Sequence, residues 1–248
     1  MKKRTNLLSL ALCLLLLAPM PAQAAARKNW YFSSKGQNER PVLPQVDENL
    51  ARGIGKDEKT LYLTFDAGYE NGNVSKIAEI LRNNGVTGAF FVLKHFVEAE
   101  PELVTRLKED GNLICNHTAT HPPINKLSKE ELKAELDGVA DQYKALTGEN
   151  MAPYFRPPEG AYDDSSLKAV SELGYKTVFW SLAYADWDND KQPDPDTSLK
   201  KLESRVHNGA VILLHPTSAT NAAILDRFIR DMKEKGYRFG TLEEVWTS

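Results

Sequence analysis

From Thr60 onward the chain alternates short apolar runs with longer amphipathic stretches, and this alternation limits its fold more than any other feature. The apolar runs cover residues 61–65, 89–93, 113–115, 154–155, 177–180 and 211–214, with a weaker one at 237–239. Their length and their aromatic and β-branched content suit buried strands. Between them, helical spacing appears at 74–83, 101–109, 129–146, 165–173, 197–206 and 222–235. Gly85, Gly111, Gly148, Gly174, Gly209 and Gly236 each follow a helical stretch, where a left-handed C-terminal cap is common. Pro101 suits a first helical turn. Ser128 and Glu131 read as a capping box ahead of Leu132 and Leu136. Regular succession of this kind builds βα units on a parallel sheet, so the expected fold class is α/β.

The start of the chain reads differently. Lys2, Lys3 and Arg4 precede an apolar run over 7–17, Pro19 and Pro21 close it, and Ala22-Gln23-Ala24 has the small-x-small pattern of a signal-peptidase site. The apolar run is too short to span a bilayer as a helix. Residues 1–24 are therefore expected to be a signal peptide and the protein to be exported, with no membrane span once it is cleaved. Its removal takes the formal net charge from −3 to −6 and leaves Cys115 as the one cysteine. Leu113 and Ile114 beside it favour a buried, inert thiol. Residues 25–58 are polar, with Pro41 and Pro44, and read as an N-terminal arm wrapping a single domain over 59–248. With no basic excess, nucleic acid is not an expected partner, and nothing in the sequence suggests a partner protein.

Polar residues fall where strands end. Asp66 follows the first apolar run, His117 and His121 the third, Arg156 the fourth, Asp186 and Trp187 the fifth, and His215 the sixth. In a parallel α/β fold these positions share the C-terminal edge of the sheet, where active sites sit. His117 and His121 stand four apart, a spacing that on a helical turn puts both rings on one face to grip a metal. Two solvated or capping histidines give the same pattern. Asp66 is a catalytic carboxylate or a turn aspartate. Arg156, stiffened by Pro157 and Pro158, suits a carboxylate partner, either at a site or in a structural ion pair. The aromatics around Asp186 suit sugar rings as well as a core. His215 suits acid–base chemistry near neutral pH or a hydrogen-bonded core edge.

Five motifs in order, Thr-Phe-Asp66, His117-x-x-x-His121, Arg156-Pro-Pro-x-Gly160, Asp186-Trp187 and Leu214-His215, resemble the polysaccharide deacetylase family, carbohydrate esterase family 4. The resemblance covers about Thr60 to Val245. It implies a distorted (β/α) barrel of about seven parallel strands, in keeping with the run count, and removal of acetyl groups from N-acetylated sugars. By the same resemblance Asp66 would be the general base and Arg156 its orienting partner. His215 would be the general acid, tuned by Asp186. Trp187 and Leu214 would line the acetyl and sugar groove, with Tyr69 and Pro158 beside them as substrate-binding residues. His117 and His121 would hold a divalent, zinc-like metal ion, but Ala67 stands where the family usually has a third, aspartate ligand.

The run Phe65-Asp-Ala-Gly-Tyr-Glu-Asn-Gly72 resembles a subgroup, the delta-lactam-biosynthetic de-N-acetylases. It implies deacetylation of N-acetylmuramic acid in peptidoglycan during spore cortex formation, with the glycan strand as the binding partner. A chitin-type or N-acetylglucosamine deacetylase and a non-catalytic glycan-binding relative are the alternatives.

Overall fold

The computed structural model describes residues 27–33, 36 and 38–247. The signal-peptide reading of residues 1–24 lies outside the described residues. Ten strands appear: β1 (Lys28–Asn29), β2 (Ala51–Arg52), β3 (Thr60–Ala67), β4 (Ala89–Val92), β5 (Leu113–Asn116), β6 (Tyr154–Phe155), β7 (Ala161–Tyr162), β8 (Lys176–Val178), β9 (Val211–Leu214) and β10 (Arg238–Phe239). Each of the seven apolar runs holds one of them. The main sheet runs β10-β3-β4-β5-β6-β8-β2, with β9 also beside β3, and every pair in it is parallel. It curls into a distorted half-barrel. At its base Ile54 bridges Ala210, and Gly55 N–H donates to Gly209 O at 2.8 Å.

Helices cover the outside: α1 (Asn73–Asn83), α2 (Lys94–Ala99), α3 (Pro101–Glu109), α4 (Lys129–Thr147), α5 (Asp164–Glu172), α6 (Pro195–Glu203), α7 (Ala219–Glu234) and the short α8 (Leu242–Trp246). Helix α4 starts at the Ser128 capping box, whose two reciprocal bonds are both formed. Helices α6 and α7 begin earlier than their apolar spacing suggests. Asp194 accepts from Thr197 N–H, with Pro195 in the first turn, and Ser218 accepts from Asn221 N–H. None of the described helices is long and apolar enough to cross a membrane.

The strand period of two sets the site. Along β3, Leu61, Leu63 and Phe65 pack outward into the main core against the helices. Tyr62 packs inward with Phe91, Cys115, Val178 and Val211. Asp66 follows Tyr62 and Thr64 on the inner face, at the strand's C-terminal end. Burying phenylalanines such as Phe65, Phe90 and Phe91, each at 0% exposure, stabilises the fold by about 2–3 kcal/mol apiece and holds these strands in register. Cys115 is buried on the inner face, where desolvation raises its thiol pKa.

In the fifth apolar run the regular strand ends at Val178, although Phe179 N–H still donates to Arg52 O at 2.8 Å, and the arm packs on its last two residues. Trp30 stacks on Phe179 with ring centroids 4.0 Å apart, and its indole N–H donates to Trp180 O at 2.7 Å. The arm is thus part of the barrel wall: β2 extends the sheet beside β8, and β1 pairs antiparallel with β7. Gly209 is not a helix cap. Its φ is +72°, and a Cβ there would lie 2.3 Å from Lys56 O, so it permits the close passage of two chain segments at the barrel base.

Candidate active site

A cavity of about 930 Å³ opens at the C-terminal ends of the strands, lined among others by Asp66, His117, His121, Trp187 and His215. Arg156 lies beneath it at 0% exposure, an extreme burial for a guanidinium. Its Nη1 donates to Asp66 Oδ1 at 2.7 Å, Nη2 to Thr64 Oγ1 at 2.9 Å, and Nε to Val178 O at 3.0 Å. The guanidinium also stacks 4.2 Å above the Phe91 ring. Burial is the strongest influence on Asp66 and favours the neutral acid. Arg156, through its charge and its hydrogen bond, outweighs it with the help of the neighbouring histidines and holds the carboxyl below its ordinary range. Asp66 is therefore a carboxylate with Oδ1 engaged and Oδ2 turned toward His117 Nε2, 3.7 Å away.

The two histidines are not on a helical turn. They sit in the loop after β5, where Thr118 and His121 adopt positive φ of 74° and 64°. Side chains replace the helical bonds in this strained loop. Asn116 Oδ1 accepts from Thr118 N–H, and Thr118 Oγ1 accepts from His121 N–H. Glu135 on α4 accepts from the N–H groups of Ala119 and Thr120, both at 2.8 Å. The loop still brings the rings together, edge to face, 5.0 Å between centroids. His117 Nδ1 meets Arg156 O at 2.8 Å. That carbonyl can only accept, so Nδ1 carries the proton and Nε2 presents a lone pair. Burial drives the His117 pKa down to about 4, so the ring is neutral.

Two imidazoles are the beginning of a metal shell, but the described residues do not complete it. No group of three His, Cys, Asp or Glu among them is arranged to hold a metal ion, whereas catalytic zinc sites use three protein ligands. Ala67, at the position of the family's third ligand, offers only a methyl group. It is fully buried in the main core cluster, on the opposite strand face from Asp66.

Opposite Asp66, His215 Nδ1 lies 2.7 Å from Asp186 Oδ1, and His215 N–H donates to Asp186 Oδ2 at 2.9 Å. Asn221 on α7 donates to both Asp186 Oδ2 and His215 O. Burial pulls the His215 pKa down, but the bond to Asp186 and the charges of Asp186 and Asp66 outweigh it, and the pKa is raised. Nδ1 is engaged, so Nε2 is the position free to exchange a proton.

Trp187 is 63% exposed and stands edge-on to His215, with centroids 6.3 Å apart. Tyr69 is exposed as well, its hydroxyl accepting from Asn189. Leu214 and Pro158 are buried, and neither they nor Tyr69 belong to the cavity lining. The far wall is one that sequence reasoning missed: Trp30, Tyr31, Phe32 and Ser33 of the arm, with Arg205. Gly160, at φ +62°, lets the arm approach, since a Cβ there would lie 2.9 Å from the Trp180 ring and 3.1 Å from Trp30 Cβ.

Comparison with known proteins bears on this arrangement. Residues 53–178 match the family model described as "Polysaccharide deacetylase". The chain is 37% identical, over 96% of its length and 94% of the other's, to the peptidoglycan-N-acetylmuramic acid deacetylase PdaA of Bacillus subtilis. The solved structure of that protein, a family 4 carbohydrate esterase, superposes with a TM-score of 0.85 at 36% identity, covering 89% of this chain and 97% of the other. A peptidoglycan-N-acetylglucosamine deacetylase of Bacillus cereus is 32% identical over 74% of this chain and 67% of its own.

Proposed function

The chain belongs to the polysaccharide deacetylase family, family 4 of the carbohydrate esterases, and on that premise we propose that it is an exported peptidoglycan deacetylase hydrolysing the N-acetyl group of N-acetylmuramic acid, in the service of muramic delta-lactam formation in the spore cortex. The observation that carries the chemistry is two anchored groups lining one cavity, Asp66 held by Arg156 and His215 held by Asp186. Likeness to the muramic acid deacetylase over nearly the whole of both chains favours muramic acid over glucosamine.

In this reading Asp66 is the general base. Arg156 fixes Oδ1 and keeps the group ionised, and Oδ2 takes a proton from a water as that water attacks the acetyl carbonyl carbon. The protonated His215 gives the proton on Nε2 to the amide nitrogen as the C–N bond breaks, leaving acetate and a free amine. Asp186 fixes the His215 tautomer and stabilises the imidazolium, as the carboxylate of a catalytic triad does. Trp187 offers an exposed aromatic face beside the acid for a sugar ring. Family 4 deacetylases are generally metal-dependent. The residues present here fall short of a three-ligand site, so no step is assigned to an ion.

Purified protein should release acetate from peptidoglycan whose muramic acid carries no peptide, and mass spectrometry of the digest should find the acetyl group missing from muramic acid. Absence of acetate from every N-acetylated glycan, with or without zinc, would overturn the enzymatic reading. Asp66→Asn separates enzyme from glycan binder: an enzyme loses acetate release and keeps binding. An acid–base set held this closely argues against a binder, which has no use for one.

A further inference from the structure

The charges on the cavity wall do not balance. Its two carboxylates are each paired, Asp66 with Arg156 at 2.7 Å and Glu159 with Arg27 at 3.0 Å. The wall's single Lys or Arg side chain among the described residues is Arg205, in the turn after α6. It is half-buried, and no carboxylate among the described residues lies within ion-pair distance of it. Among the described residues its side chain makes one hydrogen bond, a long one, Nη1 to Ala183 O at 3.5 Å. A guanidinium has five donors, so most of this fork has no partner among the described residues, and the residue lines the cavity. A partly desolvated cation held in that state is a poor contributor to folding and a good receptor for a planar anion.

We infer that Arg205 is a specificity-determining residue that receives a lactyl carboxylate of the peptidoglycan strand. The inference rests on the muramic acid reading above. The glycan backbone of N-acetylated sugars is otherwise uncharged. Muramic acid differs from glucosamine by its lactyl ether, which ends in a free carboxylate when no peptide is attached. A carboxylate matches the guanidinium fork in two parallel hydrogen bonds, and an amide-linked peptide at the same place removes the charge. Arg205 thereby distinguishes peptide-free muramic acid both from glucosamine and from peptide-bearing muramic acid. The arm's Phe32 and Tyr31 line the same stretch of wall and bound the space in which the lactyl group is held.

The test keeps binding apart from turnover. Calorimetry on the full-length Asp66→Asn protein compares peptide-free glycan strands with the same strands after reduction of the lactyl carboxyl to an alcohol. Reduction is expected to weaken binding by about tenfold or more, the scale of one charge-assisted pair. In Asp66→Asn/Arg205→Gln that difference should vanish, with the thermal transition retained. Equal affinity for the two glycans, or a difference that persists without Arg205, overturns the assignment. If Arg205→Gln fails to fold, Arg205→Lys decides: a reduced preference supports the assignment and an unchanged one overturns it. Carboxylate-dependent binding in a protein whose Asp66 form releases no acetate overturns the deacetylase reading instead and leaves the Arg205 site standing.

Discussion

Arg156→Met tests the electrostatic frame of the site most directly. The substitution keeps an apolar side chain of similar reach and removes a charge at 0% exposure. Asp66, 10% exposed at its side chain, is left in the same enclosure without its closest cation. Thr64 Oγ1 and Val178 O each lose a donor. Breaking a buried pair from one side costs about 3–5 kcal/mol, most of it the uncompensated charge. For a chain of this size, about 4 kcal/mol lowers the melting temperature by roughly 8–16 °C. The sign with pH follows from Asp66. In the native protein its pKa is lowered, so its stabilisation is present above the ordinary carboxyl range and is lost as pH falls through the depressed value. In the variant burial prevails and the pKa rises, so the deficit is greatest at neutral pH and shrinks on acidification. Urea unfolding at pH 7 and pH 4.5 measures it. The double variant Arg156→Met/Asp66→Asn removes the stranded charge and should regain about 2 kcal/mol of the loss. A single-variant loss under about 1 kcal/mol, or a double variant no more stable than the single, would refute the reasoning.

Asp186→Asn removes the charge that raises the His215 pKa, so the alkaline limb of acetate release should shift to lower pH while kcat drops by about a hundredfold or more; an unmoved limb refutes the pairing as its cause. Neutral, buried His117 has a pKa near 4 against 6.5 unfolded, so stability should fall as pH drops from 6.5 toward 4, by on the order of 3 kcal/mol. His117→Gln should flatten that part of a melting-temperature profile, and an unchanged slope counts against the account. Glu135→Gln keeps the shape but weakens the acceptor for Ala119 and Thr120 N–H, so the loop should show faster amide exchange and acetate release should fall about tenfold, with the melting temperature within a few degrees of native. Equal exchange rates would show that Glu135 does not hold the loop. Exhaustive chelation should leave the melting temperature within about 2 °C of its starting value, because Asp66 and His117 are paired within the protein; a fall beyond about 5 °C would reveal a structural ion.

The parts of this molecule legible in its sequence are those set by local periodicity. A run such as 211–214 is a strand because four consecutive apolar residues can be buried on both faces of a parallel sheet. Once β3 is placed, the period of two puts Asp66 inside the barrel, and the parallel topology brings the residues after β5, β6 and β9 to the same rim. The local reading failed where a non-local bond replaces a local one. The spacing of His117 and His121 suggests a helical turn, but Asn116, Thr118 and Glu135 satisfy the loop's N–H groups instead, so positive φ wins at two positions. The 177–180 run looks like strand throughout, yet the regular strand ends at Val178, and Phe179 and Trp180 also meet Trp30, a partner about 150 residues away.

The same distinction explains why the far wall of the cavity is invisible in the sequence. Glu135, which braces the histidine loop without lining the cavity, occupies a polar position on an amphipathic helix. Arg205 follows Lys200 and Lys201 at the end of α6, where cations ordinarily complement the helix dipole. Each has an unremarkable local explanation, and only the fold removes it. Arg205 lies beyond the end of α6 and lines a cavity whose acids are already paired, and Trp30 to Ser33 are brought there by an arm with no periodic signal of its own. Residues that react sit at strand ends, which periodicity locates. Residues that select among substrates sit on whatever the chain folds over those ends, and their meaning comes from charge balance across the cavity. The acid–base pair and the unpartnered cation are thus independent: Asp66→Asn should abolish turnover and leave carboxylate preference, and Arg205→Gln should do the reverse for preference while the pH limbs of acetate release stay in place, whereas limbs that move with Arg205 would mean that the two ends of the cavity form one electrostatic unit.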